Sequence, residues 1–243
     1  MKTVLITGAN QGIGFETAKL MARHGYFVYL GCRNPESGSQ AVAALHQAGL
    51  ETSAWLQLDV SDQKSVDEAA KQVEKNHPSI DALINNAGIM GARPTPGQSY
   101  PIDEIRRVFE TNVFGAMRVT QAFLPLLSRS EAPRIVNVSS GLGSLTLQSD
   151  PNWRFSRYKH PAYVPSKTAL NAYTVVLAAQ LALQGFKVNA VDPGHTSTAF
   201  NGYGGERGPE LSAVFVAQAA TLGPEGPSGR FLSDELPAGE LPW

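Results

Sequence analysis

Near its start the chain reads Thr3-Val4-Leu5-Ile6-Thr7-Gly8-Ala9-Asn10-Gln11-Gly12-Ile13-Gly14. The apolar half of this stretch predicts a short buried strand, and the amphipathic residues 13–24 predict the helix that follows it. The glycines between them let the backbone turn sharply and approach a ligand closely. A helix that begins at such a turn directs its first N–H groups and the positive end of its dipole at an anion. The stretch therefore predicts a nucleotide-binding loop.

The rest of the chain alternates short apolar runs with helical patterns. Strands are predicted at 4–6, 27–30, 54–58, 82–84, 135–138 and 187–191, with a short last strand at 230–232. Helices are predicted at 13–24, 39–47, 63–75, 102–127 and 163–183, irregular segments at 141–161 and 195–209, and a mostly extended tail at 223–243. This order predicts an α/β fold: one doubly wound domain over residues 1–243 with a mostly parallel sheet of about seven strands.

Composition excludes several kinds of protein. The 243 residues carry a net charge of −1, which gives no basis for a nucleic-acid or anionic-membrane partner. One cysteine, Cys32, excludes an internal disulfide and suits a reducing compartment. No apolar run approaches the roughly 20 residues of a membrane span. We expect no secretory signal, because such a signal would need a longer apolar region and a cleavage site before the first strand. We expect a soluble, cytoplasmic protein without a metal site.

A second motif is Tyr163-Val164-Pro165-Ser166-Lys167. Its tyrosine and lysine are four residues apart, so they share one helix face, and Pro165 places them in the first turn. A phenol has a pKa of about 10, and an ammonium about 4–5 Å away is expected to lower that pKa by about 2–3 units. The pair therefore predicts a general acid–base group that works near neutral pH.

The Gly-x-x-x-Gly-x-Gly and Tyr-x-x-x-Lys spacings together resemble the short-chain dehydrogenase/reductase family, in its compact single-domain branch. Further matches follow in the family's order: Asp59-Val60, Asn85-Asn86-Ala87-Gly88, Asn112, Ser139-Ser140 and Pro193-Gly194. The resemblance covers nearly the whole chain. It implies a Rossmann-type fold and hydride transfer between a nicotinamide and a ketone or aldehyde, with Tyr163 as general acid/base.

The resemblance also implies a catalytic set. Its members are Asn112, Ser140, Tyr163 and Lys167. Ser140 would hold the substrate oxygen, Lys167 would also bind the nicotinamide ribose, and Asn112 would take part in a water-mediated proton path from Lys167. Ser139 is expected to be structural. Because Val113 and Phe114 beside Asn112 are apolar, we expect both to be buried.

The cofactor is expected to lie along the loops that follow the strands. Its predicted contacts are Gly8, Asn10, Gln11, Gly12, Ile13, Gly14, Arg33, Asp59, Val60, Asn86, Ala87, Gly88, Tyr163, Lys167, Pro193, Gly194, Thr196 and Thr198. An acidic residue at the end of the second strand would bind a ribose 2′-hydroxyl, but this chain has Cys32 there, with Arg33 next. Since a guanidinium suits a 2′-phosphate, NADPH is expected rather than NADH.

Two of these residues have structural alternatives. The carboxylate of Asp59 either accepts a hydrogen bond from the adenine amino group or caps the helix that begins nearby, and both roles are compatible. Asn86 is expected chiefly to tie neighbouring strands, while Thr196 and Thr198 would reach the carboxamide and the phosphates.

The chain departs from the compact members of the family between Ser140 and Tyr163, where it is longer. This insertion, at about 142–162, and the sequence of the tail resemble the carbonyl-reductase-like subgroup. Two interpretations stay open: the insertion lines the substrate pocket with aromatic side chains, or it covers the helix surface used for oligomerisation. The protein is accordingly expected to be a monomer or a small homo-oligomer. A mobile lid over the substrate is expected at about 195–209.

The sequence thus predicts an NADPH-dependent carbonyl reductase, reversible as an alcohol dehydrogenase, acting on a small carbonyl or alcohol substrate. An ene-reductase for conjugated carbonyls is the alternative, although such relatives usually alter the tyrosine. A non-catalytic NADP-sensing protein would lose the Tyr163/Lys167 pair, which is intact here. A sugar-nucleotide epimerase would need a second, substrate-binding domain.

Overall fold

The computed structural model describes residues 1–95, 97–236 and 239–243. Within these ranges seven strands form one sheet: β1 Thr3–Thr7, β2 Phe27–Cys32, β3 Ser53–Gln57, β4 Ala82–Asn85, β5 Arg134–Val138, β6 Lys187–Asp192 and β7 Phe231–Ser233. The strand order is β3-β2-β1-β4-β5-β6-β7, and every pair is parallel. The predicted α/β fold is confirmed. Pro237 and Ala238 of the predicted extended tail lie outside the described residues.

Helices cover both faces of the sheet. They are α1 Gly12–Arg23, α2 Pro35–Gln47, α3 Gln63–Asn76, α4 Ile102–Phe109, α5 Ala116–Leu127, α6 Leu145–Ser149, α7 Tyr163–Leu181 and α8 Pro209–Ala220. One apolar core joins the sheet to α1, α2 and α8, and a second joins it to α3, α5 and α7. The chain reverses its direction of winding between β1 and β4, so a crevice opens beyond the carboxyl ends of these strands.

The predicted helix 102–127 is interrupted. A π-helical turn, Glu110–Gly115, separates α4 from α5 and contains Asn112. Such turns occur frequently at functional sites. The expectation that Phe114 is buried is wrong, because 49% of this side chain is exposed, whereas Val113 is buried as expected.

Other helix boundaries also differ from the prediction. Helix α2 begins at Pro35 rather than at residue 39, because the side chain of Asn34 accepts a hydrogen bond from the Ser37 N–H at 2.9 Å. Helix α7 ends at Leu181, and a 3₁₀ turn continues to Gln184. The segment 141–161, predicted to be irregular, contains a 3₁₀ turn and the short helix α6.

Helix α8 was not among the predicted helices. Its sequence, PELSAVFVAQAA, is apolar on most sides, so it lacks the periodic polar face that signals a surface helix. It packs against α1, where small residues allow close approach of the two helices. No helix in the described ranges is both long enough and apolar enough to cross a membrane.

Candidate active site

A cleft of about 1440 Å³ lies beyond the carboxyl ends of the strands. Typical small-molecule pockets are about 300–1,000 Å³, so this cleft has room for a dinucleotide and a second molecule. The loops after β1 to β6 all line it. Of the residues predicted to form the site, all line the cleft except Asn112, which lies behind its wall.

The glycine loop forms the end of the cleft next to β1. Gly8 and Gly12 have φ angles of 64° and 59°, a region that favours glycine. A Cβ at Gly14 would lie 2.5 Å from Nδ2 of Asn86 and 2.7 Å from the carbonyl oxygen of Gly8. Within the described chain, no side chain caps α1 at Gln11. The loop therefore brings backbone and the first N–H groups of α1 to the cleft, which suits a phosphate.

Asn86 holds this loop in place. Its Nδ2 donates to the carbonyl oxygens of Thr7 at 2.9 Å and Gly8 at 3.1 Å. In return, the hydroxyl oxygen of Thr7 accepts from the backbone N–H groups of Asn86 and Ala87, both at 3.0 Å. These bonds tie the ends of β1 and β4 together, in agreement with the structural role expected for Asn86.

Arg33 and Asp59 lie at the same end of the cleft. Arg33 directly follows Cys32, the last residue of β2, and lines the cleft with Asn34. Burial raises the pKa of the Cys32 thiol to about 11, so that side chain is an inert filler. Oδ1 of Asp59 accepts from the backbone N–H of Ser61 at 2.9 Å and from its hydroxyl at 2.6 Å. Asp59 thus shapes the turn before α3, at the wall of the cleft.

The N-terminal cap of α3, for which the sequence analysis considered Asp59, is Asp62. Its Oδ1 accepts from the backbone N–H of Lys64 at 3.0 Å, at the start of α3. Asp59 therefore acts one turn earlier, and the predicted adenine contact of Asp59 stays a prediction.

Tyr163 and Lys167 lie in the first turns of α7 with only 7% and 4% of their surfaces exposed. Nζ of Lys167 donates to the carbonyl oxygen of Val138 at 2.7 Å and lies 5.7 Å from the centroid of the tyrosine ring. Burial lowers the pKa of Lys167 to about 8. The two side chains share one helix face and reach the cleft together, as their spacing predicts.

The prediction that Lys167 lowers the pKa of the Tyr163 phenol is wrong for the protein without cofactor. Burial raises the pKa of Tyr163 above its usual range, and only the Ser140 side chain opposes this shift appreciably. Because the lysine is itself desolvated and bound to Val138, its charge does not outweigh the cost of burying a phenolate. Tyr163 is therefore a protonated phenol at neutral pH, the state that donates a proton.

The two serines at the end of β5 differ in their surroundings. The hydroxyl of Ser139 is buried and donates to Oδ1 of Asn171 at 2.6 Å, which fits the structural role expected for it. Ser140 is half-buried and starts the 3₁₀ turn Gly141–Gly143, where its Oγ accepts from the backbone N–H of Leu142 at 3.3 Å. Its side chain also hydrogen-bonds Tyr163, so the two hydroxyl groups lie together in the cleft.

Asn112 is almost fully buried in the π-helical turn. Its Oδ1 accepts from the Ile89 N–H at 2.8 Å, and its Nδ2 donates to the Ile89 carbonyl at 2.9 Å and to Oγ of Ser166 at 3.0 Å. It therefore fixes the loop after β4 against α7. A Cβ at Gly88 would lie 3.4 Å from Oδ1 of Asn112 and 3.7 Å from Nζ of Lys167, so both groups border one point. The water-mediated role of Asn112 stays a prediction.

The insertion contributes a wall of the cleft. Its lining side chains are Leu142, Trp153, Phe155, Arg157, Tyr158, Lys159 and His160. Arg154 connects it to two other segments, through Glu206 at 3.0 Å and Glu235 at 2.6 Å. These contacts favour the pocket-lining interpretation.

The segment predicted to be a lid reaches over the tyrosine. Thr196 is buried, with its hydroxyl 2.6 Å from that of Ser212 in α8, and Thr198 caps a short 3₁₀ turn, Ala199–Asn201. A Cβ at Gly12 would lie 3.3 Å from the methyl group of Thr198. The ring of Phe200 lies 5.7 Å from the ring of Tyr163, centroid to centroid, and is 41% exposed. The segment thus spans the cleft from the glycine loop to the tyrosine.

Sequence reasoning missed Asp192, His160 and Phe200. Asp192 ends β6, and its Oδ1 accepts from the N–H groups of Gly141 at 2.9 Å and Gly194 at 3.3 Å. Burial raises its pKa to about 6. Its position directly before Pro193-Gly194 was the available signal, whereas nothing local marks Phe200 or His160.

A cleft at the carboxyl ends of a doubly wound sheet, with a glycine loop and a tyrosine–lysine pair, is the arrangement expected of a dinucleotide-dependent oxidoreductase. The family model described as short chain dehydrogenase matches residues 2–207. Short-chain dehydrogenase anuI of Penicillium roqueforti is 38% identical over 99% of this chain and 97% of its own. The chain therefore belongs to the short-chain dehydrogenase family, which confirms the resemblance read from its motifs.

Two solved structures show the same fold over at least 96% of the chain. Salutaridine reductase from Papaver somniferum superposes with a TM-score of 0.84 at 28% identity, covering 96% of this chain and 100% of its own. The NADPH-bound carbonyl reductase from chicken fatty liver gives a TM-score of 0.85 at 26% identity, covering 100% of this chain and 99% of its own. The second of these structures agrees with the predicted subgroup and cofactor.

Proposed function

We propose that the protein is an NADPH-dependent carbonyl reductase, reversible as an alcohol dehydrogenase, with Tyr163 as its general acid/base. The observation that carries this proposal is the position of a protonated, buried phenol in the cleft, beside Ser140 and Lys167 and across from the glycine loop. The coupling of a dinucleotide cradle to a proton donor is what reduction of a carbonyl requires.

The residues present fit a phosphorylated dinucleotide. The Asn86 side chain and the backbone of Gly8 fill the space that a Cβ at Gly14 would need, so the start of α1 packs closely on the glycine loop. The first N–H groups of α1, with no side-chain cap at Gln11, would bind a pyrophosphate. Arg33 stands where the 2′-position of the adenosine ribose is expected, and its planar guanidinium suits a phosphate better than a hydroxyl. The NADPH found in the chicken carbonyl reductase supports the same assignment.

Three side chains of the protein would each have a separate role in the reduction of the carbonyl group. When bound, the nicotinamide supplies or accepts the hydride at the carbonyl carbon. Ser140 would donate a hydrogen bond to the carbonyl oxygen and stabilise the negative charge that develops there. Tyr163 would transfer its phenolic proton to the same oxygen. Lys167, charged below its pKa of about 8, would favour the phenolate that remains and bind the ribose hydroxyls.

The substrate end of the cleft favours a carbonyl compound with an apolar body. Met90, Leu142, Phe155, Tyr158 and Phe200 line the cleft, and the ring of Phe200 lies 5.7 Å from that of Tyr163. We propose that the insertion at about 142–162 and the lid at about 195–209 select the substrate, within one domain that comprises residues 1–243. Its oligomeric state, monomer or small homo-oligomer, is measurable by light scattering.

The test is a panel of ketones, aldehydes and enones, with turnover followed by NADPH absorbance and products identified by mass spectrometry. We expect ketones or aldehydes to be reduced to alcohols, and Tyr163→Phe to lower kcat by about 10²–10⁴-fold, the usual contribution of a general acid. A Tyr163→Phe variant as fast as wild type would refute the mechanism. Reduction of the C=C bond of enones would indicate an ene-reductase, and NADPH binding without turnover of any substrate would indicate a sensor.

A further inference from the structure

The first turn of α7 uses its N–H groups in an unusual way. Four N–H groups at the start of a helix lack partners within the helix, and Ser, Thr, Asp or Asn side chains usually accept one of them. Here the preceding residue is Ala162, whose methyl side chain cannot accept a hydrogen bond. One ring nitrogen replaces the usual cap: Nδ1 of His160 accepts from the N–H of Tyr163 at 3.1 Å and from that of Ala162 at 3.3 Å.

The remaining groups of this turn are also accounted for. The carbonyl of His160 accepts from the N–H of Val164 at 3.3 Å, and the carbonyl of Ala162 accepts from that of Ser166 at 3.1 Å. Pro165 has no N–H to satisfy. His160 therefore holds two residues of the turn: its ring binds the N–H of Tyr163, and its backbone carbonyl binds the N–H of Val164.

These contacts determine the tautomer of the imidazole. Since Nδ1 accepts from two N–H groups, it carries no proton, and the proton lies on Nε2. Nε2 in turn lies 3.1 Å from the carbonyl oxygen of Ala92, to which it donates. His160 is buried, and burial lowers its pKa, which favours this neutral form. The ring is thus a rigid strut between the loop after β4 and the first turn of α7.

Aromatic packing fixes the strut laterally. The ring of Tyr158 stacks on His160 at 6.4 Å and 23°, and that of Tyr100 meets it edge-on at 5.4 Å. The loop that receives the strut is itself anchored, because the N–H of Ala92 donates to Glu104 at 2.5 Å and its carbonyl also accepts from the hydroxyl of Tyr100 at 2.8 Å. His160 consequently joins the insertion, the loop after β4 and α7 at one point.

We propose that His160 is a positioning residue for Tyr163: it sets the height and direction of the phenol in the cleft by fixing the backbone from which that side chain projects. The inference rests on the proposed function, since it concerns the same reaction. A displacement of the order of 1 Å at a reacting group costs about 10²-fold in rate, so a backbone anchor one turn away controls turnover without touching substrate. It leaves cofactor binding intact, because the glycine loop lies at the other end of the cleft.

The experiment compares three substitutions. His160→Phe keeps the aromatic packing but removes both nitrogens, whereas His160→Asn loses the ring and keeps an oxygen that can cap the turn. The control is His46→Phe, because His46 also bonds a backbone carbonyl, that of Ser53 at 3.1 Å, but lies on α2 outside the cleft. Measurements are kcat and KM for carbonyl and NADPH, and hydrogen exchange of the Tyr163 amide by NMR.

We expect His160→Phe to lower kcat by at least tenfold, with the KM for NADPH within twofold of wild type, and to accelerate exchange of the Tyr163 amide. His160→Asn should recover most of kcat and of the protection, and His46→Phe should match wild type. Wild-type kcat in His160→Phe would overturn the proposal. So would an equal loss in kcat and in NADPH affinity.

Two further outcomes are also decisive. If His160→Phe does not fold, His160→Ala takes its place: a loss of kcat of at least tenfold with faster exchange of the Tyr163 amide supports the proposal, and wild-type kcat or an amide still protected overturns it. If wild type reduces no carbonyl of the panel, the proposed function fails whatever the exchange shows. If wild type turns over and His160→Phe equals it, only the role of His160 fails.

Discussion

Two helices begin at the same edge of the sheet, and they begin differently. Helix α1 starts at Gly12 after a loop of glycines, and within the described residues no side chain caps it. Helix α7 starts at Tyr163, where His160 and Ala162 accept the first N–H groups. The start of α1, which we call the first start, directs backbone N–H groups at the cleft. At the start of α7, the second start, the N–H groups are hydrogen-bonded within the protein, and side chains reach the cleft instead.

The difference shows how one structural element supports two functions. A helix start with unused N–H groups is suited to an anion, because the dipole and the donors both point at it. A helix start whose N–H groups are all bonded holds its backbone still, so that its side chains are fixed for chemistry. In this chain the choice depends on the few residues that precede each helix, glycines in one case and a histidine in the other.

The largest expected effect comes from Lys167→Met at the second start. Burial lowers the pKa of this lysine from 10.5 to about 8. Between pH 8 and pH 10.5 the lysine is therefore mostly protonated in the unfolded chain and mostly neutral in the folded protein. The buried charge therefore destabilises the fold below pH 8, and this cost is relieved as pH rises toward 10.5. We expect the variant to lose about 10²-fold or more in turnover while gaining about 1–3 kcal/mol in unfolding free energy at neutral pH.

Urea unfolding near neutral pH and again about two units higher measures this effect. The advantage of Lys167→Met should shrink at the higher pH, where wild type has lost the buried charge. The comparison requires data below the titration of the tyrosines, because burial of Tyr163 adds a loss of stability in strong alkali. A variant less stable than wild type at neutral pH would show that the second start is built for stability rather than for function.

The first start is tested by Gly14→Ala. The added Cβ would meet Nδ2 of Asn86 and the carbonyl oxygen of Gly8, which cannot both retreat without moving the loop. We expect a loss of about 1–3 kcal/mol in stability and at least a tenfold weaker Kd for NADPH, measured by thermal unfolding and fluorescence titration. The control is Gly223→Ala, whose Cβ would have no neighbour within 4 Å. Unchanged NADPH binding would contradict the role of the loop.

Arg33→Ala tests which dinucleotide the first start accepts. Hydrogen bonds to a charged group contribute about 1.5–3 kcal/mol, so Kd for NADPH should rise about 10–100-fold while Kd for NADH stays within about threefold. Arg23→Ala, at the last turn of α1 and outside the cleft, serves as the control. Equal weakening of both cofactors would assign Arg33 to the fold and not to the 2′-phosphate.

Much of this arrangement was predictable because it is local in sequence. The strands are short apolar runs, the glycine loop joins a strand to a helix, and Tyr163 and Lys167 share a face through their spacing alone. Parallel order followed from the alternation of strands and helices. These features need no knowledge of distant contacts.

What could not be predicted depends on distant or unpatterned residues. The raised pKa of Tyr163 follows from burial by the folded chain, which outweighs the nearby lysine that the spacing made visible. His160 is oriented as a cap because the carbonyl oxygen of Ala92, far away in sequence, accepts a hydrogen bond from its Nε2. Helix α8 has no polar stripe to signal it, and the π-helical turn that buries Asn112 lies inside an otherwise regular helical pattern.

The smallest expected effect concerns the segments that extend the second start over the cleft. Arg154 joins the insertion to Glu206, in the segment predicted to be a lid, and to Glu235, and all three side chains are at least partly exposed. Exposed ion pairs contribute about 0–1 kcal/mol, so Arg154→Ala should raise KM for a bulky ketone by about two- to fivefold. The kcat and the Kd for NADPH should not change.

Arg106→Ala, which breaks the exposed pair with Asp103 on α4, is the control and should leave every constant unchanged. If Arg154→Ala weakened NADPH as much as ketone, the lid would belong to the cofactor end of the cleft, and the division of work between the two helix starts would be wrong.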